Sequence, residues 1–212
     1  CSGNSFDATP INGSAGTLVP SGTSYSWAQP VVTGNMTGGM SGNNQNLITG
    51  TLVNPTLTPQ TAIYSVTPTT AFPCAGAIFT LTVTVNPTPI IAPLGDTICT
   101  GESFSLTPVS NSPNTLVPPG TTYSWAAPVV TGGITGGTAA NNQASINGSL
   151  FNPTSLSQTA TYSVTPTSGV QGNCTGTPFI VTIRVNPLPL IPNQNFTICS
   201  GITLDTIPVN NP

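Results

Sequence analysis

The feature that most constrains the fold is an internal repeat of about 100 residues. Residues 25–28, Tyr-Ser-Trp-Ala, return at 123–126, and residues 64–68, Tyr-Ser-Val-Thr-Pro, return at 162–166. The offset is 98 residues through these matches, and it is 100 residues from Cys74 onward. Solenoid repeats are shorter, about 20 to 50 residues. The chain is therefore predicted to fold as whole domains in series.

Proline-rich joints mark the predicted domain boundaries. The motif Val-Asn-Pro-x-Pro occurs at 85–89 and 185–189, and prolines spaced in this way favour an extended, semi-rigid connection. We predict a first domain at 1–87 that lacks its opening strand, a complete domain at 88–187, and the opening strands of a third at 188–212. Because the first and third domains are incomplete, the chain is expected to be a segment of a longer array of repeats.

Short apolar segments separated by Gly and Pro indicate β-strands. Residues 178–185 alternate in polarity with a period of two, which is typical of a strand with one buried face. The residues predicted to face inward are Phe179, Val181, Ile183 and Val185, and in the first copy Phe79, Leu81, Val83 and Val85. Further candidate strands in the complete copy are 103–108, 121–126, 143–150 and 159–166. The predicted fold class is all-β, with tandem Ig-like β-sandwich repeats.

Two aromatic pairs are predicted to anchor the cores. Tyr25 and Trp27 in the first copy, and Tyr123 and Trp125 in the second, lie on predicted central strands, where a Trp of a sandwich usually packs in the core. The alternative is that the two tryptophans are exposed and stack on sugars, as in a carbohydrate-binding module. Exposure of the indoles distinguishes the two predictions.

The composition argues against several classes of function. Five residues carry formal charge, and the chain has no Lys and no His. Acid–base catalysis needs a group that titrates near the working pH or a carboxylate pair, and a catalytic Cys needs a His partner. Nucleic-acid binding needs a basic surface, and metal sites need several Cys, His or carboxylate ligands. We expect no enzyme activity, no cofactor, no metal and no nucleic-acid partner.

Membrane insertion is not expected either, because no segment reaches the roughly 20 apolar residues of a membrane span.

The five cysteines are expected to form disulfides in an oxidising, extracellular compartment, and they occupy equivalent positions in the repeats. They are Cys1, Cys74, Cys99, Cys174 and Cys199. The interpretation that we favour pairs Cys1 with Cys74 and Cys99 with Cys174, within each repeat. The other pairs Cys74 with Cys99 and Cys174 with Cys199, across the proline joints.

These motifs resemble a known family of bacterial surface repeats. The series Thr-Ile-Cys-Ser/Thr-Gly (97–101 and 197–201), Tyr-Ser-Trp, Tyr-Ser-Val-Thr-Pro and Val-Asn-Pro-x-Pro is similar to the PKD-like repeats of giant Bacteroidota surface proteins. That family includes SprB-type gliding adhesins exported by the type IX system. The resemblance covers the whole chain. It implies a structural repeat segment of an adhesin or filament at the bacterial outer surface, serving attachment or gliding motility.

The resemblance also implies partners and a modification. The expected partners are neighbouring repeats of the same protein, like chains in a fibre, and surface polysaccharide. Asp-Thr-Ile, at 96–98 and 205–207, looks like the Bacteroidota O-glycosylation signal of Asp, then Ser or Thr, then an apolar residue. This makes Thr97 and Thr206 candidate glycosylation sites.

Two arrangements of the whole protein are compatible with the sequence. In the one that we favour, the chain is a stretch of a very long adhesin that grew by duplication, since the copies are closely similar in sequence. In the other, it is a short secreted subunit that polymerises into a fibre. Residues 188–212 would then complete the first domain of the next copy by strand addition.

Overall fold

A computed structural model describes residues 1–14, 16–72, 74–111, 115–169 and 172–203. These residues form two successive all-β repeats, as the alternating apolar pattern predicts, and they contain no helix. The strands of the first repeat are β1 Ser5–Ala8, β2 Ser24–Trp27, β3 Val31–Val32, β4 Thr37–Gly38, β5 Gly42–Gln45, β6 Ile48–Val53, β7 Gln60–Thr69 and β8 Phe79–Val85. The strands of the second repeat are β9 Leu94–Cys99, β10 Ser103–Leu106, β11 Thr122–Trp125, β12 Val129–Val130, β13 Thr135–Gly136, β14 Ala140–Gln143, β15 Ile146–Phe151, β16 Gln158–Thr167 and β17 Phe179–Asn186.

Each repeat is a sandwich of a small sheet and a larger one. In the first repeat the small sheet has the order β1-β6-β4, and in the larger one β7 pairs with β2, β3 and β8 while β5 pairs with β2. The second repeat has the same arrangement, with β10-β15-β13 against β14-β11-β16-β17. It adds β9, which runs parallel to β17 at the edge of the larger sheet. All other pairings are antiparallel, as expected for an Ig-like sandwich.

The core of each repeat lies between its two sheets. In the second repeat the ring of Phe104, on the small sheet, lies 5.8 Å from the ring of Tyr162, on the large sheet. The equivalent pair in the first repeat is Phe6 and Tyr64, with ring centroids 5.6 Å apart. Burial of these rings and of the aliphatic residues around them supplies most of the stabilisation of each sandwich, at about 25 cal/mol for each Å² of apolar surface.

The last strands of the two repeats differ in burial. All four predicted inward residues of β17 are buried, whereas in β8 only Val85 is buried and Phe79, Leu81 and Val83 are partly exposed. The predicted alternation is present in both strands. The difference arises because β9 covers the edge of β17, while no strand in the described ranges pairs with the outer edge of β8.

One predicted strand is divided in two. The segment 143–150 contains the end of β14 and most of β15, because β14 pairs with β11 in the large sheet and β15 pairs with β10 in the small sheet. The chain therefore crosses from one layer to the other between Gln143 and Ile146. Residues 187–203 contain no strand. The remainder of the predicted third repeat lies outside the described residues.

Candidate functional site: the joint between the repeats

The two repeats meet through a linker that packs against the second repeat. We call the end of a repeat where its last strand finishes the base, and the opposite end the top. From Val85 at the base of the first repeat, residues 86–93 run onto the top of the second. There Ile90 and Leu116 exchange two backbone hydrogen bonds, with N–O distances of 3.0 and 2.6 Å. Ile91 is buried in the second core. The linker is therefore held along its length rather than free.

A disulfide joins the repeats across the same joint. Cys1, at the base of the first repeat, is bonded to Cys174, in the loop between β16 and β17 at the top of the second, with 5.5 Å between their Cα atoms. Cys174 is completely buried. The thiols of Cys74, Cys99 and Cys199 are free. Both predicted connectivities are therefore wrong: the structure has neither the pairing within each repeat nor the pairing of Cys74 with Cys99 and Cys174 with Cys199.

The positions of the cysteines within a sandwich explain the correction. The Ser2 N–H donates to Asn86 O at the base (2.8 Å), and the Thr70 N–H donates to Cys74 O at the top (3.1 Å). The ten-residue strand β7 separates these two ends by about 30 Å, whereas a disulfide needs Cα atoms within about 7 Å. Cys1 therefore reaches a cysteine only at the top of the following repeat.

A buried asparagine organises the base of each repeat. The side-chain amide of Asn152 donates to Leu156 O (2.8 Å) and Val185 O (3.0 Å), and its Oδ1 accepts from the backbone N–H and the hydroxyl of Thr154 (2.9 and 2.8 Å). Asn54 makes the equivalent bonds in the first repeat. Neither asparagine was among the residues predicted from the sequence. The motif Asn-Pro-Thr, present in both copies, was the available signal.

The opening of the chain is tied to this network. The Ser2 N–H donates to Asn86 O, and the Ser2 hydroxyl accepts from the Asn54 N–H at 2.9 Å. On the other side of the joint, the Thr88 hydroxyl donates to Ser2 O at 3.2 Å. These bonds fix the position of the adjacent Cys1 on the base, from which it is bonded to Cys174.

Both predicted tryptophan anchors lie in the core. Trp27 and Trp125 are 6% and 5% exposed. Their Nε1–H groups donate to Met40 O (2.9 Å) and Thr138 O (3.1 Å). A buried indole whose N–H is satisfied has no free face on which a sugar can stack. The alternative prediction, carbohydrate binding through these two tryptophans, is therefore wrong.

Four buried tyrosines complete the cores. The predicted anchors Tyr25 and Tyr123 are buried, and desolvation raises the pKa of Tyr123 to about 12. Desolvation likewise raises the pKa of Tyr162 to about 12 and the pKa of Tyr64 above its ordinary value. The hydroxyls of Tyr64 and Tyr162 are buried without a hydrogen-bond partner among the described residues.

The candidate glycosylation site Thr97 is accessible. Thr97 is exposed on β9, at the free edge of the large sheet, while the neighbouring Ile98 is buried. The Thr97 N–H donates to Asp96 Oδ1 at 2.8 Å. Thr206 lies outside the described residues.

The described ranges contain no group of three or more His, Cys, Asp or Glu side chains placed to hold a metal ion. In the same ranges no helix has the length and apolar character needed to cross a membrane.

Comparison with known proteins agrees with the repeat architecture. The family model described as a PKD-like domain matches the chain twice, at residues 1–89 and 96–189. No curated protein matches the chain. The two matched segments correspond to the two sandwiches and together cover most of the sequence. The chain therefore belongs to the PKD-like domain family.

Proposed function

We propose that this chain is a structural segment of an extracellular surface adhesin or filament, and that it serves attachment, including attachment during gliding. The observation that supports this proposal is the joint. The linker packs against the second repeat and Cys1 is bonded to Cys174, so two domains are fastened end to end. A series of domains fastened in this way holds a distant binding site away from the cell surface.

The surface chemistry supports the same role. The chain has no Lys and a single Arg, so trypsin-like proteases have almost no site to cleave. Its polar surface consists almost entirely of uncharged side chains, with only five formal charges in the chain, so its contacts depend little on ionic strength. Both properties suit a part that is exposed outside the cell.

The proposal can be tested by antibody labelling and gene deletion in cells of the source organism. Antibodies raised against the two-repeat chain are expected to label intact cells, and added protease is expected to remove the label. Deletion of the gene is expected to reduce attachment to a solid surface or the speed of gliding, and complementation is expected to restore it. Label that appears only after lysis, or attachment and movement unchanged by deletion, would contradict the proposal.

A second candidate function is a short subunit that polymerises by strand addition. Two observations favour it. The outer edge of β8 is unpaired in the described part of the chain. Residues 190–199 repeat the apolar residues at positions 90, 91 and 98 of the segment that contains β9, and the corresponding Leu190, Ile191 and Ile198 are exposed. The tail of one copy would lie along β8 of the next, as β9 lies along β17.

The mass of the native protein separates the two functions. The reduced and denatured protein from its source is expected to be far larger than the 21.4 kDa of this chain. Such a result supports a long adhesin. A species near 21.4 kDa contradicts it and supports the polymerising subunit.

We also propose O-glycosylation at Thr97, because its side chain is exposed at a sheet edge directly after Asp96. Protein isolated from the source is expected to exceed its peptide mass by sugar-sized steps. Thr97→Val is expected to remove one such step. Thr82→Val, which changes an exposed strand threonine that follows Leu81, is the matched control and is expected to leave the glycan mass unchanged. An unmodified wild-type mass contradicts the proposal.

A further inference from the structure

The structure assigns a disulfide to one joint, and we propose that every joint between these repeats carries the same bond. We name Cys1, Cys99 and Cys199 the opening cysteines of their repeats, and Cys74 and Cys174 the closing cysteines. The observed bond joins the opening cysteine of one repeat to the closing cysteine of the next. Cys99 is then expected to bond to the closing cysteine of a following repeat, and Cys74 to the opening cysteine of a preceding repeat. This inference rests on the repeat architecture and not on the proposed attachment function.

The base of the second repeat holds Cys99 as the base of the first holds Cys1. The Thr100 N–H donates to Asn186 O at 2.9 Å, and the Thr100 hydroxyl accepts from the Asn152 N–H at 2.7 Å. Ser2 makes the same two bonds next to Cys1, at 2.8 and 2.9 Å. Cys99 therefore occupies, on its own base, the position from which Cys1 reaches the next repeat.

The top of the first repeat presents Cys74 as the top of the second presents Cys174. The Cys74 N–H donates to the Thr70 hydroxyl (3.2 Å), and the Thr70 N–H donates back to Cys74 O (3.1 Å). Cys174 and Ser168 exchange the same pair of bonds, both at 2.9 Å. The geometry is kept although the second loop is two residues longer. Cys74 is exposed, whereas Cys174 is buried beneath the first repeat.

A second feature marks the top of the first repeat as a docking face for a linker. It carries an apolar pocket of about 280 Å³ whose lining includes Leu18, Tyr25 and Phe79. Leu18 is 82% exposed. Its equivalent Leu116 is covered by the linker, which pairs there through Ile90. The occupant that fits this pocket is therefore a linker segment of the kind formed by residues 86–93, and such a segment comes with a preceding repeat.

Pairing within the chain does not satisfy the free thiols. Cys74 lies at the top of the first repeat and Cys99 at the base of the second, so the length of both sandwiches separates them. Cys74 and Cys99 therefore cannot bond to each other.

The bond forms by exchange with a small-molecule disulfide such as oxidised glutathione. The Cys99 thiol loses its proton, and its thiolate attacks one glutathione sulfur and displaces a glutathione thiolate. The closing cysteine of the next repeat then attacks the Cys99 sulfur as a thiolate and displaces the second glutathione. Two protein thiols are oxidised by two electrons in total, and one glutathione disulfide is reduced to two thiols.

A three-repeat chain tests the proposal. A second copy of residues 88–187 is inserted after Pro187, so that the full chain is retained and one more joint is created. The inserted copy carries the exposed substitutions Thr97→Ser and Thr177→Ser, which label its cysteine peptides by mass. The protein is oxidised in glutathione buffer, its free thiols are alkylated, and it is digested with pepsin at acid pH, where disulfides do not exchange.

We expect the original Cys99 to be linked to the inserted copy of Cys174, alongside the bond between Cys1 and the original Cys174. An alkylated original Cys99, or its linkage to any other cysteine, overturns the proposal, and so does failure of Cys1 to pair with Cys174. Cys99→Ser in the original repeat is the matched control. It is expected to leave the inserted Cys174 alkylated, with the far-ultraviolet circular dichroism unchanged.

Discussion

At the residue scale, the hydroxyl of Tyr162 is a polar group that the core of the second repeat leaves unpaired. Tyr64 is in the same situation in the first repeat. A buried hydroxyl without a partner has lost its hydrogen bonds to water and gained none in return. The contribution of each tyrosine to stability therefore comes from its ring, through contacts such as the one with Phe104.

Removal of this hydroxyl is predicted not to weaken the fold. For Tyr162→Phe we expect the free energy of unfolding in urea to stay the same or to rise by about 1 kcal/mol. Tyr64→Phe is the matched variant in the first repeat and is expected to behave alike. A loss of more than about 1 kcal/mol in either variant would show that the hydroxyl makes a stabilising bond.

The buried tyrosines also predict how stability depends on alkaline pH. The pKa of Tyr123 and Tyr162 is about 12 in the folded protein, against about 10 in an unfolded chain. Between these values the unfolded state has released protons that the folded state retains. The contribution of these groups is therefore fully present below pH 10 and is lost as pH rises towards 12.

The measurement is absorbance at 295 nm together with thermal melts at a series of pH values. The tyrosinate signal of Tyr123 and Tyr162 is expected only near pH 12 or on unfolding, and the melting temperature is expected to fall above pH 10. Full ionisation of all tyrosines near pH 10 in the folded protein would contradict this prediction.

At the scale of elements, the connection from β15 to β16 depends on Asn152. This side chain satisfies two backbone carbonyls and receives two bonds from Thr154, all at the base where the opening cysteine lies. Because the groups around it are sequestered from water, each bond that is lost leaves a polar atom unpaired.

We predict that Asn152→Ala lowers the free energy of unfolding by about 3 kcal/mol, measured by urea denaturation. Asn147→Ala changes an exposed asparagine of β15, the strand that ends directly before Asn152, and is the matched control, with an expected effect within about 0.5 kcal/mol. Equal effects of the two substitutions would mean that the buried bonds of Asn152 do not stabilise the base.

The two copies of the last strand show how an element depends on its neighbour. β8 and β17 have apolar residues at the same alternate positions, yet only β17 has a fully buried inner face. Alternation predicted the orientation of both strands correctly, because successive side chains point to opposite faces. The degree of burial depends on whether a strand such as β9 lies alongside, which no local pattern contains.

At the scale of the whole molecule, the disulfide between Cys1 and Cys174 closes a sequence separation of 173 residues. A loop of this size corresponds to at most about 5 kcal/mol in the chain-entropy model. We therefore predict that Cys1→Ser lowers the temperature of unfolding in calorimetry, as does reductant on the wild type. Cys199→Ser alters a free thiol and is the matched control, with no expected change. Equal unfolding temperatures for Cys1→Ser and the oxidised wild type would contradict the prediction.

A disulfide at every joint would also limit how far an array extends under tension. The covalent path would pass from Cys1 to Cys174 through the bond, and then along 25 residues to Cys199 (199 − 174). At about 3.5 Å for each residue, two repeats would then extend to about 90 Å, against about 700 Å for about 200 unfolded residues. Single-molecule pulling of a multi-repeat chain is expected to show long unfolding steps only with reductant. Long steps without reductant would contradict this prediction.

The amino-acid sequence by itself determined the presence of two tandem repeats, the all-β class and the core positions of Trp27 and Trp125. These properties depend on self-similarity and on the local alternation of apolar residues, which are both readable along the chain. The base asparagines Asn54 and Asn152 were also visible, as a repeated Asn-Pro-Thr motif. Their role was not, since each amide also reaches a carbonyl at the end of the last strand of its repeat, more than 30 residues away.

The disulfide between Cys1 and Cys174 was decided only by the tertiary structure. Repeat equivalence of the cysteines suggested pairs within one repeat, but a disulfide depends on which Cα atoms come within about 7 Å. Strand direction places the opening and closing cysteines at opposite ends of one sandwich, and end-to-end stacking brings the opening cysteine of the first repeat to the closing cysteine of the second. Neither the direction of the strands nor the stacking of the domains is contained in the spacing of the cysteines.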